Sequence, residues 1–161
     1  MNDENDDYSI GENIEYDFQY TTDSGKIGRE AEIFIMDVLG ENGRNVIDLN
    51  GNIDSEMDVL SSLGLKKEDI YSKNHRSKFD ILDFTDKNHL IRIEAKGSSS
   101  KNYSISFNDK EFDILILISA YGENLSYYMA KYRDVNDTIS FSDTKKFSEE
   151  QFMADYFTMI R

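Results

Sequence analysis

The 161-residue sequence contains no cysteine, no proline and no tryptophan, and only two histidines. Without cysteine there is no disulfide, no thiolate metal site and no cysteine nucleophile. With two histidines, a zinc site would depend mostly on carboxylates. No run of about 18 apolar residues exists, so no membrane span is expected. The N-terminal stretch MNDENDDYSI is acidic, unlike a secretory signal or an arginine-rich transit peptide. Neither G-x-x-x-x-G-K-[ST] nor G-x-S-x-G occurs, which argues against a P-loop nucleotide site and an α/β-hydrolase nucleophile. There are no internal repeats. A reducing cytoplasm is the expected setting.

Against these absences stand ten phenylalanines, ten tyrosines and an apolar share of 39%, enough to build a core. The length fits one domain. The net charge of −14 is unevenly spread. Asp3, Glu4, Asp6, Asp7, Glu12, Glu15 and Asp17 face no Lys or Arg in residues 1–17 and carry half of it. Residues 73–110 run the other way, with eight Lys and Arg against five acids. A basic island of this kind grips phosphates even on an acidic chain.

Residues 1–24 read as a flexible acidic arm, and residues 25–161 as a single domain. Ile27, Ala31, Phe34, Ile35, Val38 and Leu39 form one helical stripe, with Gly40 and Asn42-Gly43 as stop signals. Asn45 to Asn50 has strand character. Residues 51–75 read as an insertion, with a short helix around Met57, Leu60 and Leu63 broken at Gly64. The pattern then becomes β: Phe79–Phe84, a turn over Thr85–Asn88, and a returning strand from Leu90 to Lys96 stopped by Gly97 and three serines. Further strands are expected over Tyr103–Phe107, Ile114–Ile118 and Leu125–Tyr132. The unbroken apolar run at Ile114–Ile118 suits a central strand covered on both faces. Ser148-Glu149-Glu150-Gln151 has the form of a capping box opening a terminal helix, with Phe152, Tyr156 and Ile160 on one side.

The hairpin holds the chemistry. Strand alternation puts Ile91, Ile93 and Ala95 on one face and Arg92, Glu94 and Lys96 on the other. Asp80, on the preceding strand, can meet Glu94 across the pair. Two carboxylates at short range repel unless a cation lies between them. Such oxygen ligands, with the backbone carbonyl of Ala95 as a further candidate, suit Mg²⁺ or Mn²⁺. An ammonium beside them, that of Lys96, orients a nucleophile or stabilises charge developing on a phosphoryl group. The basic island supplies candidate phosphate contacts at Arg76, Lys78, Arg92 and Lys101, with Ser98 in the serine loop and His75 nearby. Asp83 lies one residue out of phase with Asp80, and it and Asp48 read as structural.

The series of helix with an acid beside its stripe, strand, Phe79-Asp80, then Glu94-Ala95-Lys96-Gly97-Ser98 resembles the PD-(D/E)XK nuclease superfamily. It is closest in style to small restriction-type or DUF3883-like members. The resemblance spans roughly residues 25–132, with Phe79-Asp80 at the "PD", Glu94-Ala95-Lys96 at the "ExK" and Gly28 to Glu32 at the first core helix. It implies an α/β restriction-endonuclease-like fold with a mixed central sheet flanked by helices. It further implies Asp80 and Glu94 as Mg²⁺ ligands, Lys96 assisting the attacking water, and Glu32 joining the site. The implied function is a divalent-metal-dependent endonuclease hydrolysing DNA in defence, restriction or repair. A homodimer or a partner protein supplying DNA affinity would accompany it. The family helix after the lysine strand has only Asn108–Phe112 available, so either it is reduced or the C-terminal helix covers that face. The alternative function is an acidic interaction module or nuclease subunit that keeps the fold and binds a partner protein, or acts as a DNA-like decoy.

Overall fold

The computed structural model describes residues 24–51, 53–73, 76–107 and 109–161; the expected acidic arm, Ser24 apart, lies outside the described residues, as does His75. Helix α1 spans Ser24–Glu41. Its stripe of Ile27, Ala31, Phe34, Ile35, Val38 and Leu39 is buried throughout. The helix ends where Gly43 takes φ 84°. There the Gly43 N–H donates to the Gly40 carbonyl and the Arg44 N–H to the Leu39 carbonyl, at 3.2 and 3.0 Å. That paired closure needs a left-handed residue, which glycine adopts without a Cβ penalty. Of the two expected stop signals, Gly43 is the one that acts.

Among the described residues eight strands follow: β1 (Val46–Asp48), β2 (Ile81–Asp83), β3 (Ile91–Ser98), β4 (Asn102–Ser104), β5 (Ile114–Ser119), β6 (Ser126–Lys131), β7 (Thr138–Ser140) and β8 (Lys145–Lys146). Six form a mixed sheet in the order β1-β2-β3-β5-β6-β8, while β4 and β7 pair separately. Within the larger sheet β3 and β5 run parallel, and the other neighbours are antiparallel. The protein is thus α/β, with a mixed sheet flanked by helices. The connection from β3 to β5 carries β4 and, among the described residues, no helix.

Side-chain parity along the strands sorts the core into two layers. Ile91, Ile93, Ala95, Ile114, Ile116 and Ile118 pack against α1 and against Phe152, Met153 and Tyr156 of α4 (Glu149–Ile160). Ser148 caps α4 by accepting the Gln151 N–H at 3.1 Å. The Gln151 side chain turns to Asp155 instead of closing the box. Leu82, Leu115 and Leu117 face the other way. They meet Leu60 of α2 (Met57–Ser62), Ile70 of α3 (Lys67–Ile70) and Ile139 of β7. Residues 53–70 therefore supply part of the second layer. α2 ends at Gly64 with φ 82° and the same closure as α1.

Several boundaries differ from the sequence reading, β2 among them, which covers only Ile81–Asp83 of the expected Phe79–Phe84. The short strand expected over Tyr103–Phe107 is Asn102–Ser104, because its partner β7 is equally short. Strand β3 runs on through Gly97 to Ser98 instead of stopping there. A Cβ at Gly97 would lie 2.5 Å from the Ile27 carbonyl oxygen and 3.0 Å from the Ala31 Cβ. Glycine is there so that α1 can touch the strand, which reads as a breaker in sequence. Gly97→Ala is accordingly expected to force α1 off β3 and cost about 1–3 kcal/mol. Urea unfolding checks this, and an unchanged midpoint would contradict the packing argument.

Asp83 is fully buried. It accepts bonds from Arg44 Nε (2.8 Å), the Tyr156 hydroxyl (2.6 Å) and both the hydroxyl and the N–H of Thr85 (2.6 and 2.9 Å). Burial would raise its pKa, but these donors outweigh burial and hold it below the ordinary value. The set ties α4 to β2 and to the chain after α1, at the opposite parity from Asp80.

Candidate active site

Asp80 sits one residue before β2. Its N–H donates to the Ile93 carbonyl, and its Oδ2 accepts the Ala95 N–H at 2.8 Å. The strand register, stepped back one place from Ile81 opposite Ile93, sets Asp80 beside Glu94. The carboxylate thus replaces a backbone acceptor at the ladder's end, and Asp80 is held 5% exposed. Glu94 follows from parity: its neighbours Ile93 and Ala95 pack toward α1, so it points to the other side and is only 1% exposed.

Lys96, two residues on, shares the Glu94 side and brings Nζ to 3.1 Å of Glu94 Oε2. A second ammonium arrives from the connection before β5, with Lys110 Nζ at 3.4 Å from the same oxygen. Glu94 Oε1 is buried and has no hydrogen-bond partner among the described residues. Buried acceptors are nearly always satisfied, so an orphaned carboxylate oxygen calls for a ligand. Burial, followed by the Asp80 charge, pushes the Glu94 carboxyl up to about 7 despite both lysines. Burial would lower Lys96, but the charge and hydrogen bond of Glu94 more than offset it and raise the ammonium above its ordinary value.

Glu32 reaches the same pocket from α1. Arg29 Nη1 donates to its Oε1 at 2.8 Å, while Arg29 Nη2 holds Asp48 at 2.6 Å. The Asn50 amide bridges the two layers of acids, donating to Glu32 Oε2 at 2.9 Å and to Asp80 Oδ1 at 2.7 Å. The Ser77 hydroxyl donates to Asn50 Oδ1 and fixes the amide's orientation. Burial and the nearby Asp80 charge push Glu32 up to about 7, against the pull of Arg29. Arg29, Glu32, Asn50, Asp80, Glu94, Lys96 and Lys110, with Gly97 and Tyr103, line a pocket of about 320 Å³.

The structure therefore brings together Asp80, Glu94, Ala95, Lys96 and Glu32. It does not gather the expected phosphate contacts around them. Arg92 turns to Asp113, with its Nη2 at 3.0 Å from Oδ1. Lys78 pairs with Glu111 at 3.2 Å. Ser98 is buried, its hydroxyl accepting the Ser100 N–H. Arg76 and Lys101 are exposed, and none of the five lines the pocket. Sequence reasoning missed Arg29, Asn50, Tyr103 and Lys110. Asn50 was visible only as the last residue of a strand before a glycine, and Lys110 only as one of eight basic residues.

Among the described residues, no group of three or more His, Asp or Glu side chains is spaced to hold a metal ion. Asp80 and Glu94 form a pair. A pair is sufficient for Mg²⁺, which keeps most of its waters and takes one or two carboxylates. The donor set fits on its chemistry: hard oxygens, one of them orphaned, on acids that repel. No protein-family model matches the chain, and no curated protein matches it in sequence. No helix among the described residues is long and apolar enough to cross a membrane.

Proposed function

We propose that the protein is a divalent-metal-dependent nuclease of restriction-endonuclease-like fold that hydrolyses DNA phosphodiesters. The observation that carries the reading is the orphaned, buried Oε1 of Glu94 beside Asp80, with Lys96 on the adjoining oxygen. The order of elements supports it too. A helix bearing Glu32 precedes three antiparallel strands, the aspartate enters at the second, and the acid and lysine stand on the third beside a parallel strand.

In this reading Asp80 and Glu94 hold Mg²⁺ or Mn²⁺. When bound, such an ion would supply charge neutralisation at the phosphoryl oxygens and a lowered pKa for water. The chain's own groups do the rest. The Ala95 N–H and the Asn50 amide fix Asp80, so the carboxylate need not reorganise. Lys96, anchored on Glu94 Oε2, presents an ammonium that orients the incoming water and offsets the charge that develops at phosphorus. Glu32, held by Arg29 and Asn50, serves to accept a proton from water.

The test is cleavage of supercoiled plasmid and duplex oligonucleotides with Mg²⁺ or Mn²⁺, wild type against Lys96→Ala. Cleavage that needs the metal and disappears in the variant is the expected result. No cleavage, together with no divalent binding by calorimetry, would move the reading to the acidic interaction module.

A further inference from the structure

We infer that Lys110 is a second catalytic cation, contacting a non-bridging oxygen of the phosphate opposite Lys96. The inference rests on the nuclease reading and extends it to a residue outside the motif. Three observations carry it. Lys110 Nζ lies 3.4 Å from Glu94 Oε2, the same oxygen that Lys96 touches, so the two ammonium groups flank one carboxylate oxygen. Its position is pinned, since Nζ also donates to the Ser77 carbonyl at 3.1 Å. An ammonium has three donors, and these two contacts leave one unclaimed among the described residues. Finally, the residue before it, Asp109, has φ 62°. Aspartate adopts that region more readily than most residues, and the Lys110 N–H closes the bend by donating to the Phe107 carbonyl at 3.1 Å, which fixes where the Lys110 side chain leaves the backbone.

Lys96 alone already gives Glu94 a counter-ion. A second, half-buried ammonium on the same oxygen is redundant for charge balance and costs desolvation. It becomes useful when a dianionic phosphorane forms in the pocket. In the reaction, a water oxygen bonds to phosphorus while the ester P–O bond breaks. The water's proton leaves by way of solvent or Glu32, and the departing alkoxide takes one up. Charge grows on the non-bridging oxygens, and a fixed ammonium there stabilises the transition state more than the ground state.

The experiment compares wild type, Lys96→Ala, Lys110→Met and Lys110→Arg in full-length protein, using one duplex oligonucleotide. Mg²⁺ is used for turnover, and Ca²⁺ for binding as a function of salt. Lys110→Met is expected to lower kcat by about 10²–10³-fold, a larger effect than its rise in KM, at every pH up to the alkaline plateau. The salt slope of binding should fall by about one. Lys110→Arg should restore the slope but not the rate, because the larger, planar fork does not fit the position of a point charge. This variant also decides the matter if the methionine variant does not fold. If Lys110 is only a counter-ion for Glu94, the loss in Lys110→Met recovers at high pH and the salt slope is unchanged, which overturns the inference while the nuclease reading stands. A wild type that cuts nothing overturns both.

Discussion

Glu94→Gln is expected to abolish DNA cleavage, lowering kcat/KM by at least about a thousandfold, and to remove divalent-ion binding at the site. The amide keeps the shape of the side chain but offers one acceptor where the carboxylate offered two. The oxygen most exposed to this change is Oε1, the buried acceptor that has no other partner among the described residues. Lys96→Ala should lose cleavage to a similar extent yet still bind the ion, because Asp80 and Glu94 both remain. The two variants together separate holding the metal from using it. Calorimetric titration with Mn²⁺ and cleavage of a labelled duplex are the two measurements. Wild-type cleavage by Glu94→Gln would end the assignment of that carboxylate. Metal binding lost in Lys96→Ala would instead mean that the lysine organises Glu94 rather than the phosphate.

The part of this site that was legible in sequence is the part built on strand parity. Once Ile91, Ile93 and Ala95 are placed on a core face, Glu94 and Lys96 have no choice of side. The same parity separates Asp83 from Asp80, and the structure puts Asp83 in a buried network with Arg44 and Tyr156, away from the pocket. Helix α1 was legible for a related reason, since six apolar residues at helical spacing leave a single face to bury.

What sequence could not give is the contribution of connections. Asn50 bridges Glu32 and Asp80 because β1 ends beside β2, and Lys110 meets Glu94 because the chain returns from the small β4–β7 sheet at that point. No spacing rule links residues 50 and 110 to residue 94. Arg92 shows the converse. Parity placed it correctly on the strand, but two residues of rise toward the other end moved it beyond the pocket and into the reach of Asp113. Gly97 was misread because a glycine that stops a strand and a glycine that admits a helix look alike until the helix is in place.

The same acids make stability depend on pH in an unusual direction. A carboxyl whose folded-state pKa lies above its unfolded value binds more protons when folded, so stability falls as pH rises between the two values. Burial and Asp80 raise Glu94 from 4.5 to about 7. By linkage the metal-free protein is expected to lose about 3 kcal/mol between pH 4.5 and pH 7 through this group, and to stay at the lower level above that. Glu32, also raised to about 7, adds loss of the same sign over the same window. Lys96, raised above its ordinary value, contributes a stabilisation fully present throughout this range and does not alter the slope. Asp83 is depressed, so its stabilisation is complete above its unfolded value and is lost only at more acid pH. Urea unfolding in chelator at about pH 5 and about pH 8 should therefore find the wild type weaker at the higher pH. Glu94→Gln should lose the Glu94 share of that difference and keep the share due to Glu32, since its own side chain cannot ionise. Mg²⁺ or Mn²⁺ at millimolar concentration should restore the wild type at pH 8 and do little at pH 5, where protonated acids bind cations poorly. Equal stability of wild type and Glu94→Gln at both pH values would mean that Glu94 ionises at its ordinary value, and that its buried oxygen finds a partner other than a cation.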